Sequence, residues 1–459
     1  MTISPPMPTH SASATELEEL DRRHLVHPHQ RTDRADRQII VRGKGCLVWD
    51  VHGRELLDVM GGGNWVAQVG HGRPELVEVA AKQTEELEYF TGFTDFANDK
   101  AILLAARLAN LAPERINKVF FTNGGSEGVD TAMKAARLFH YRRGETDRTW
   151  IIARHFGYHG STYGSGALTG WEPMQHAVGP NLPHIEKVLP PLPYHTEMYG
   201  GQDVSDFLLD QLEQTIARIG AGNIAAMIGE PIIGGGGVYT PPEDYWPRVR
   251  QLLSKHGILL IADEIVTGYG RTGVWLDSTQ RGMDADLITT AKGLTSGYAP
   301  LGAVLMSDEI AEIITGPESF FHGHTYFGHP VCCAIALKNL EIMENDGLLD
   351  QALKIGDWFR AALANAYDLP IVGEVRIQGA LIGIELVSDR EARSPIPHPN
   401  LEKIVDEIRV AHGVIVRPYP NTVVMAPPLV LNEQQAYQAA QATLEVLSRV
   451  NSNGELPAS

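Results

Sequence analysis

Phe120-Phe-Thr-Asn-Gly-Gly-Ser-Glu-Gly128, running on into Val129-Asp-Thr-Ala-Met-Lys-Ala-Ala-Arg-Leu138, reads as a strand, a glycine turn and the opening of a helix. Gly124 and Gly125 permit a tight turn and let the backbone approach an anion. Ser126 can donate a hydrogen bond, and the free amides of a helix start attract a phosphate. An ordinary Ser N-cap explains the same residues, so the motif alone leaves both readings open.

The same alternation continues outward between about residues 70 and 335. Short apolar runs at 118–122, 149–153, 225–229, 258–262 and 303–306 are separated by amphipathic stretches. Continuous apolar strands alternating with helices predict an α/β domain with a mostly parallel sheet covered on both faces. Ligands of such sheets gather at the carboxyl ends of the strands. From about residue 336 a helical stretch (336–363) leads into strand-like segments at 380–386 and 413–417, and a last helical run covers 433–450. This predicts a smaller α+β domain. The expected division is 1–70 as N-terminal arm and part of the small domain, 71–335 as the large domain, and 336–459 as the C-terminal small domain. The first 20 residues, rich in Pro, Ser and Thr and then Glu, read as a loose arm.

With 459 residues the chain is long enough for two lobes, and 43% hydrophobic with 20% charged residues is ordinary for a globular protein. The formal net charge of −18 opposes binding to nucleic acid, which needs clustered Lys and Arg. Cys46, Cys332 and Cys333 suggest no disulfide framework and fit a reducing compartment. The N-terminus lacks the basic start and apolar run of a secretory signal, and the apolar stretches fall short of the roughly 20 residues of a membrane span. A cytoplasmic enzyme is expected.

In Leu287-Ile-Thr-Thr-Ala-Lys292-Gly-Leu-Thr-Ser-Gly, a lone lysine follows an apolar run and precedes a Gly-rich turn. A partly desolvated amine there is a competent nucleophile and proton shuttle; a surface lysine whose stem covers apolar atoms is the plainer reading. Ile258-Leu-Leu-Ile-Ala-Asp263-Glu264 puts an acidic pair at a strand end. Asp263 there can pair with a protonated pyridine nitrogen, or it can cap a turn. Gly268-Tyr-Gly-Arg-Thr-Gly273 has the glycine spacing of a dinucleotide fingerprint, but no clear helix start follows it and the acidic pair before it would repel a pyrophosphate. Histidines cluster at 24–29 and 322–329 without Cys or carboxylate partners at metal spacing, so no metal is expected. Cys332 and Cys333 sit in an apolar helical run and read as core.

Assembled, these pieces resemble the class III aminotransferases, fold-type I enzymes that include the ω-transaminases. The likeness rests on an ordered set: Asn-Gly-Gly-Ser-Glu (123–127), Gly-Tyr-His-Gly-Ser-Thr (157–162), Gly-Glu-Pro (229–231), Ala-Asp-Glu-Ile (262–265), Gly-Tyr-Gly-Arg-Thr-Gly (268–273), Thr-Ala-Lys-Gly (290–293) and Thr-Tyr-Phe-Gly-His-Pro (325–330). The resemblance implies pyridoxal 5'-phosphate as cofactor, Lys292 as its Schiff-base lysine and Asp263 on its pyridine nitrogen. It implies Gly125 and Ser126 on the phosphate, Tyr158 and Ile265 on the two ring faces, and His159 and Glu230 in the surrounding polar shell. It places Thr325 on the phosphate of a neighbouring subunit, so a homodimer or higher assembly with sites at the interface is expected.

For substrates, the resemblance assigns Trp65, Phe90 and Phe93 to an aromatic pocket and Arg417 to a mobile carboxylate grip, flanked by Pro418 and Pro420. Two positions depart from some members. Gly235 stands where a glutamate would engage the arginine, and Val266 stands where a glutamine would reach the cofactor hydroxyl. The expected reaction is transamination from an amine or ω-amino acid (taurine, β-alanine, 4-aminobutyrate, a diamine or an aryl-alkyl amine) to a 2-oxo acid, foremost pyruvate. A decarboxylating lyase and an aminomutase of the same fold are the alternatives, with a nicotinamide oxidoreductase outside it.

Overall fold

The computed structural model describes residues 12–29 and 37–457. Near the N-terminus, β1 (Ile40–Lys44), β2 (Leu47–Asp50) and β3 (Glu55–Asp58) form an antiparallel meander. The central sheet follows: β4 (Ile116–Thr122), β5 (Trp150–Arg154), β6 (Ile185–Val188), β7 (Ile224–Gly229), β8 (Leu259–Asp263), β9 (Leu287–Thr290) and β10 (Gly302–Ser307). The third group is β11 (Val372–Gln378), β12 (Leu381–Asp389), β13 (Ser394–Pro395), β14 (Val414–Ile415), β15 (Arg417–Tyr419) and β16 (Thr422–Met425).

The central sheet has the order β4-β10-β9-β8-β7-β5-β6. Its pairs are parallel from β9 to β6, and β10 runs antiparallel to both β9 and β4. Strands β7 and β8 are buried almost throughout, as the continuous apolar runs require when helices cover both faces. The helix Gly125–Arg142 buries Val129, Ala132, Ala135, Ala136 and Phe139 against one face. Its small residues recur at three- and four-residue spacing, which lets the helix approach the sheet closely. This is the expected mostly parallel α/β sheet flanked by helices.

Three local expectations change. The segment expected as a loose arm contains a helix, Ala14–His24, started by a capping box in which Ser13 and Glu16 satisfy each other's backbone amides; residues 1–11 lie outside the described residues. The single helical stretch at 336–363 is two helices, Pro330–Asn345 and Leu348–Ala362, broken at Gly347, whose φ of 62° is left-handed. The strand-like segment at 413–417 divides between two sheets, because β14 pairs in parallel with β3 while β15 pairs with β16.

A buried ionic network ties the β11–β12 sheet to loops of the central one. Arg376 meets Glu385 at 2.5 Å, also pairs with Glu374, and donates through Nε and Nη2 to Gly237 O at 3.0 and 2.8 Å. The other carboxylate oxygen of Glu385 meets His195 Nε2 at 2.7 Å and accepts from Asn421 at 3.0 Å. Burial alone raises a carboxyl; here the His195 and Arg376 contacts outweigh it and hold Glu385 down at about 2. Glu385→Ala leaves Arg376 buried without its main counter-charge and is expected to cost about 3–5 kcal/mol in urea unfolding. Because the folded-state value lies below the ordinary 4.5, the stabilisation from Glu385 is complete above pH 4.5 and declines as pH falls towards about 2. Unfolding curves across that window should show a loss for wild type that Glu385→Gln lacks.

Candidate active site

Strands β4, β5, β7, β8 and β9 end along one edge of the sheet, and the candidate site residues lie at or just beyond these ends. Lys292 lies two positions past β9, in a short 3-10 turn, Lys292–Leu294. Its φ of 42° is left-handed, as is the φ of 59° at Trp65. Each such residue costs on the order of 1–3 kcal/mol and persists only when its surroundings hold it. Here Asn339 Nδ2 donates to Gly293 O and Leu294 O at 2.9 and 3.1 Å. Gln68 closes over the turn, so that a Cβ on Gly293 would fall 2.0 Å from its Nε2. The amine of Lys292 is drawn down to about 8, chiefly by burial, against the opposing pull of Asp263 and Glu230.

Asp263, 2% exposed at the end of β8, accepts from His159 Nδ1 at 2.7 Å and from the Ile265 amide at 3.1 Å. Its neighbour Glu264 turns to other partners, as strand alternation requires. It accepts from the Ser278 amide at 2.5 Å and from Thr267, and burial raises its carboxyl. The acidic pair thus splits into one site residue and one structural residue. Glu230, just past β7, accepts from the Tyr158 amide at 3.1 Å and the Gly234 amide at 2.9 Å. It clamps the loop after β5 to the loop after β7, and burial pushes its carboxyl up.

After β4 the helix Gly125–Arg142 begins at Gly124 without a side-chain hydrogen bond to its first turn among the described residues. A Cβ at Gly125 would lie 2.6 Å from Ile265 Cδ1, so any side chain there would displace Ile265 where the loop after β8 crosses. Ser126 Oγ accepts from the Ser161 amide at 3.2 Å, which joins this turn to the Tyr158 loop. A free helix start, a buried carboxylate and a desolvated amine on one sheet edge fit a phosphorylated, cationic heterocycle with an aldehyde.

A row of rings borders the lysine. Trp65 lies 5.3 Å from Lys292 Nζ and 4.7 Å from the Tyr419 ring. Trp171 follows at 6.0 Å from Tyr419 and 5.0 Å from Tyr158. Arg417 is exposed at the start of β15. Phe90, Phe93 and Thr325 belong to a different, exposed group in the single chain. Phe90 packs edge-on to Phe96 at 5.2 Å, Phe93 lies against Gly323, and Thr325 O accepts from Tyr89.

Trp171 and Tyr419 were not singled out by sequence. Trp171 lies in an aperiodic loop with no motif. Tyr419 did carry a signal, since it stands two residues from Arg417 on a strand and so shares its face. Arg271, another unforeseen residue, is fully buried and donates to Pro427 O and Ala380 O. The segment 268–273 is therefore a packed turn, and the next helix, Asp277–Gln280, does not start on its glycines. Val266 packs against Gly234. His322 bonds Thr131 and stacks on Phe120, and Cys332 and Cys333 are buried in the helix Pro330–Asn345. Among the described residues no cluster of three His, Cys, Asp or Glu side chains is arranged to hold a metal, and no helix is long and apolar enough to cross a membrane.

Comparison with known proteins gives the fold its family. Residues 30–447 match the family described as Aminotransferase class-III. A putrescine–pyruvate aminotransferase of Pseudomonas aeruginosa is 36% identical over 436 residues, covering 93% of this chain and 94% of its own. The crystal structure of an (S)-enantioselective ω-transaminase from Thermomicrobium roseum superposes with a TM-score of 0.92 at 38% identity, covering 95% of this chain and 99% of the other. An amine transaminase from an uncultivated Pseudomonas species, in its PLP-bound form, gives a TM-score of 0.88 at 38% identity, covering 92% and 98%. The chain belongs to the class III aminotransferases, fold-type I enzymes that depend on pyridoxal phosphate.

Proposed function

We propose that this enzyme transfers the amino group of an amine or ω-amino acid to a 2-oxo acid, foremost pyruvate, with Lys292 as the residue that bonds the cofactor. The observation that carries the reading is the desolvated Lys292 amine at the sheet edge, within electrostatic reach of Asp263 and Glu230. Bound pyridoxal phosphate supplies an electron sink for the breaking C–H bond of the donor. Asp263, oriented by His159, would hold the positive charge of the pyridine nitrogen. The first-turn amides at Gly125 and Ser126 would hold the phosphate, and Tyr158 and Ile265 would enclose the ring. The Lys292 amine would be the base that takes the proton from the donor carbon, work that suits an amine lowered to about 8.

The acceptor assignment is supported by Arg417, whose exposed guanidinium suits a carboxylate, and by Gly235, which offers it no fixed glutamate. A relative named for putrescine and pyruvate points the same way. The aromatic row beside Lys292 suits an uncharged or aryl substituent on the donor. Phe90, Phe93 and Thr325 complete the site of a neighbouring copy in a homodimer. Residues 71–335 form the cofactor-binding domain, with 1–70 and 336–459 contributing the arm and small domain. A cytoplasmic location completes the proposal.

A panel of amines and ω-amino acids against pyruvate and 2-oxoglutarate tests the reading; clear preference for 2-oxoglutarate overturns the acceptor. Lys292→Ala should lose the visible absorption that the cofactor gains on bonding to lysine, and should lower transamination by about 10^4-fold. In the cofactor-free enzyme, the rate of Lys292 acylation should rise with pH through a midpoint about 8, against 10.5 for an ordinary lysine amine. A midpoint near the ordinary value would remove the desolvation argument.

A further inference from the structure

Position 235 has no side chain, yet its surroundings are full. A Cβ there would stand 3.2 Å from Trp171 Cζ2 and 3.4 Å from Tyr158 Cβ. The indole of Trp171 occupies that space, anchored by Nε1 donating to Phe156 O at 3.3 Å. Its other neighbour is the ring of Tyr419, which is itself wedged against Trp65. Tyr419 is 8% exposed, and it shares a strand face with exposed Arg417, whose charge stands close enough to act on the phenol. The phenol therefore has little freedom to move, while the arginine has much.

We propose that the Tyr419 hydroxyl is the resting partner of Arg417, fixed in place by the Trp171 indole over Gly235, and that it sets how readily the arginine accepts a substrate carboxylate. This rests on the reading that Arg417 receives the 2-oxo acid. A neutral phenol gives a guanidinium one hydrogen bond, whereas a carboxylate gives two with opposite charge, so the incoming acid displaces the phenol. When no acid is present the arginine returns to Tyr419. Tyr419 and Trp171 thus act on the acceptor through Arg417 as positioning residues.

The test measures KM in the holoenzyme for pyruvate and for an aldehyde acceptor that lacks a carboxylate, with one fixed amine donor. Tyr419→Phe removes only the oxygen and releases Arg417. The KM for pyruvate should fall about five-fold relative to the KM for the aldehyde. Trp171→Ala, which lets the phenol shift, should move the same ratio in the same direction, and Trp171→Phe should restore it. A general structural defect would move both acceptors together. An unchanged ratio in Tyr419→Phe, or a pyruvate KM that rises relative to the aldehyde, overturns the proposal. Should Tyr419→Phe fail to fold, seen as loss of the cofactor's visible absorption, the Trp171 pair decides alone by the same ratio. Failure of the wild type to use pyruvate at all would instead overturn the acceptor reading, which the same assays detect first.

Discussion

Asp263 is a carboxylate removed almost wholly from water, and a charge so placed has to be met by donors or by another charge. Desolvating it costs several kcal/mol, recovered only if its partners are well aimed. Hydrogen bonds come from two loops, His159 after β5 and the Ile265 amide beyond β8 itself, and the charge of the Lys292 amine after β9 adds a longer-range attraction. The parallel register that sets Asp263 opposite Thr289 brings the lysine turn to the same edge. Glu230 repeats the device one strand away with the Tyr158 and Gly234 amides. Two buried carboxylates thus fix the relative positions of four loops, and the ring row from Trp65 to Tyr158 lies on that frame.

The frame was largely legible in the sequence. Apolar runs ending in Asp263 and in Thr290-Ala-Lys292, and the glycine turn before Ser126, each follow from local chemistry, and burial on both faces leaves no other use for such runs. The antiparallel direction of β10 was not legible, since a buried strand has the same composition either way. The break at Gly347 carries a turn signal, Asn345-Asp346-Gly347, that the long apolar runs on either side outweigh. The helix from Ala14 carried a readable signal, Ser13 and Glu16 at capping-box spacing, which the Pro- and Ser-rich start obscured. The Trp171–Gly235–Tyr419 packing was beyond reach. It joins three distant segments, and an absent side chain says nothing of what fills its place.

The site combines two kinds of surface with opposite demands. The polar side needs its groups held still, which the Glu230 and Asp263 contacts provide. The aromatic side meets its ligand mainly with ring faces and so tolerates varied substituents. Arg417 stands at the rim where the two meet, the exposed cation on a strand whose alternate residue is a buried tyrosine. Farther out, the Arg376 contacts to Gly237 O hold the glycine-rich loop from behind, so the small sheet supports the site at β11 and enters it at β15 with Arg417 and Tyr419.

The parallel pairing of β3 with β14 joins Leu57 to Val414. During synthesis on the ribosome the N-terminal meander emerges early, but the edge of β3 gains its partner only when nearly the whole chain has been made. An unpaired strand edge is a template for pairing with other chains. The nascent protein must therefore pass through a stage in which its first sheet is open, and conditions that slow translation or crowd the emerging chains will act on yield through that edge, independently of the stability of the finished enzyme.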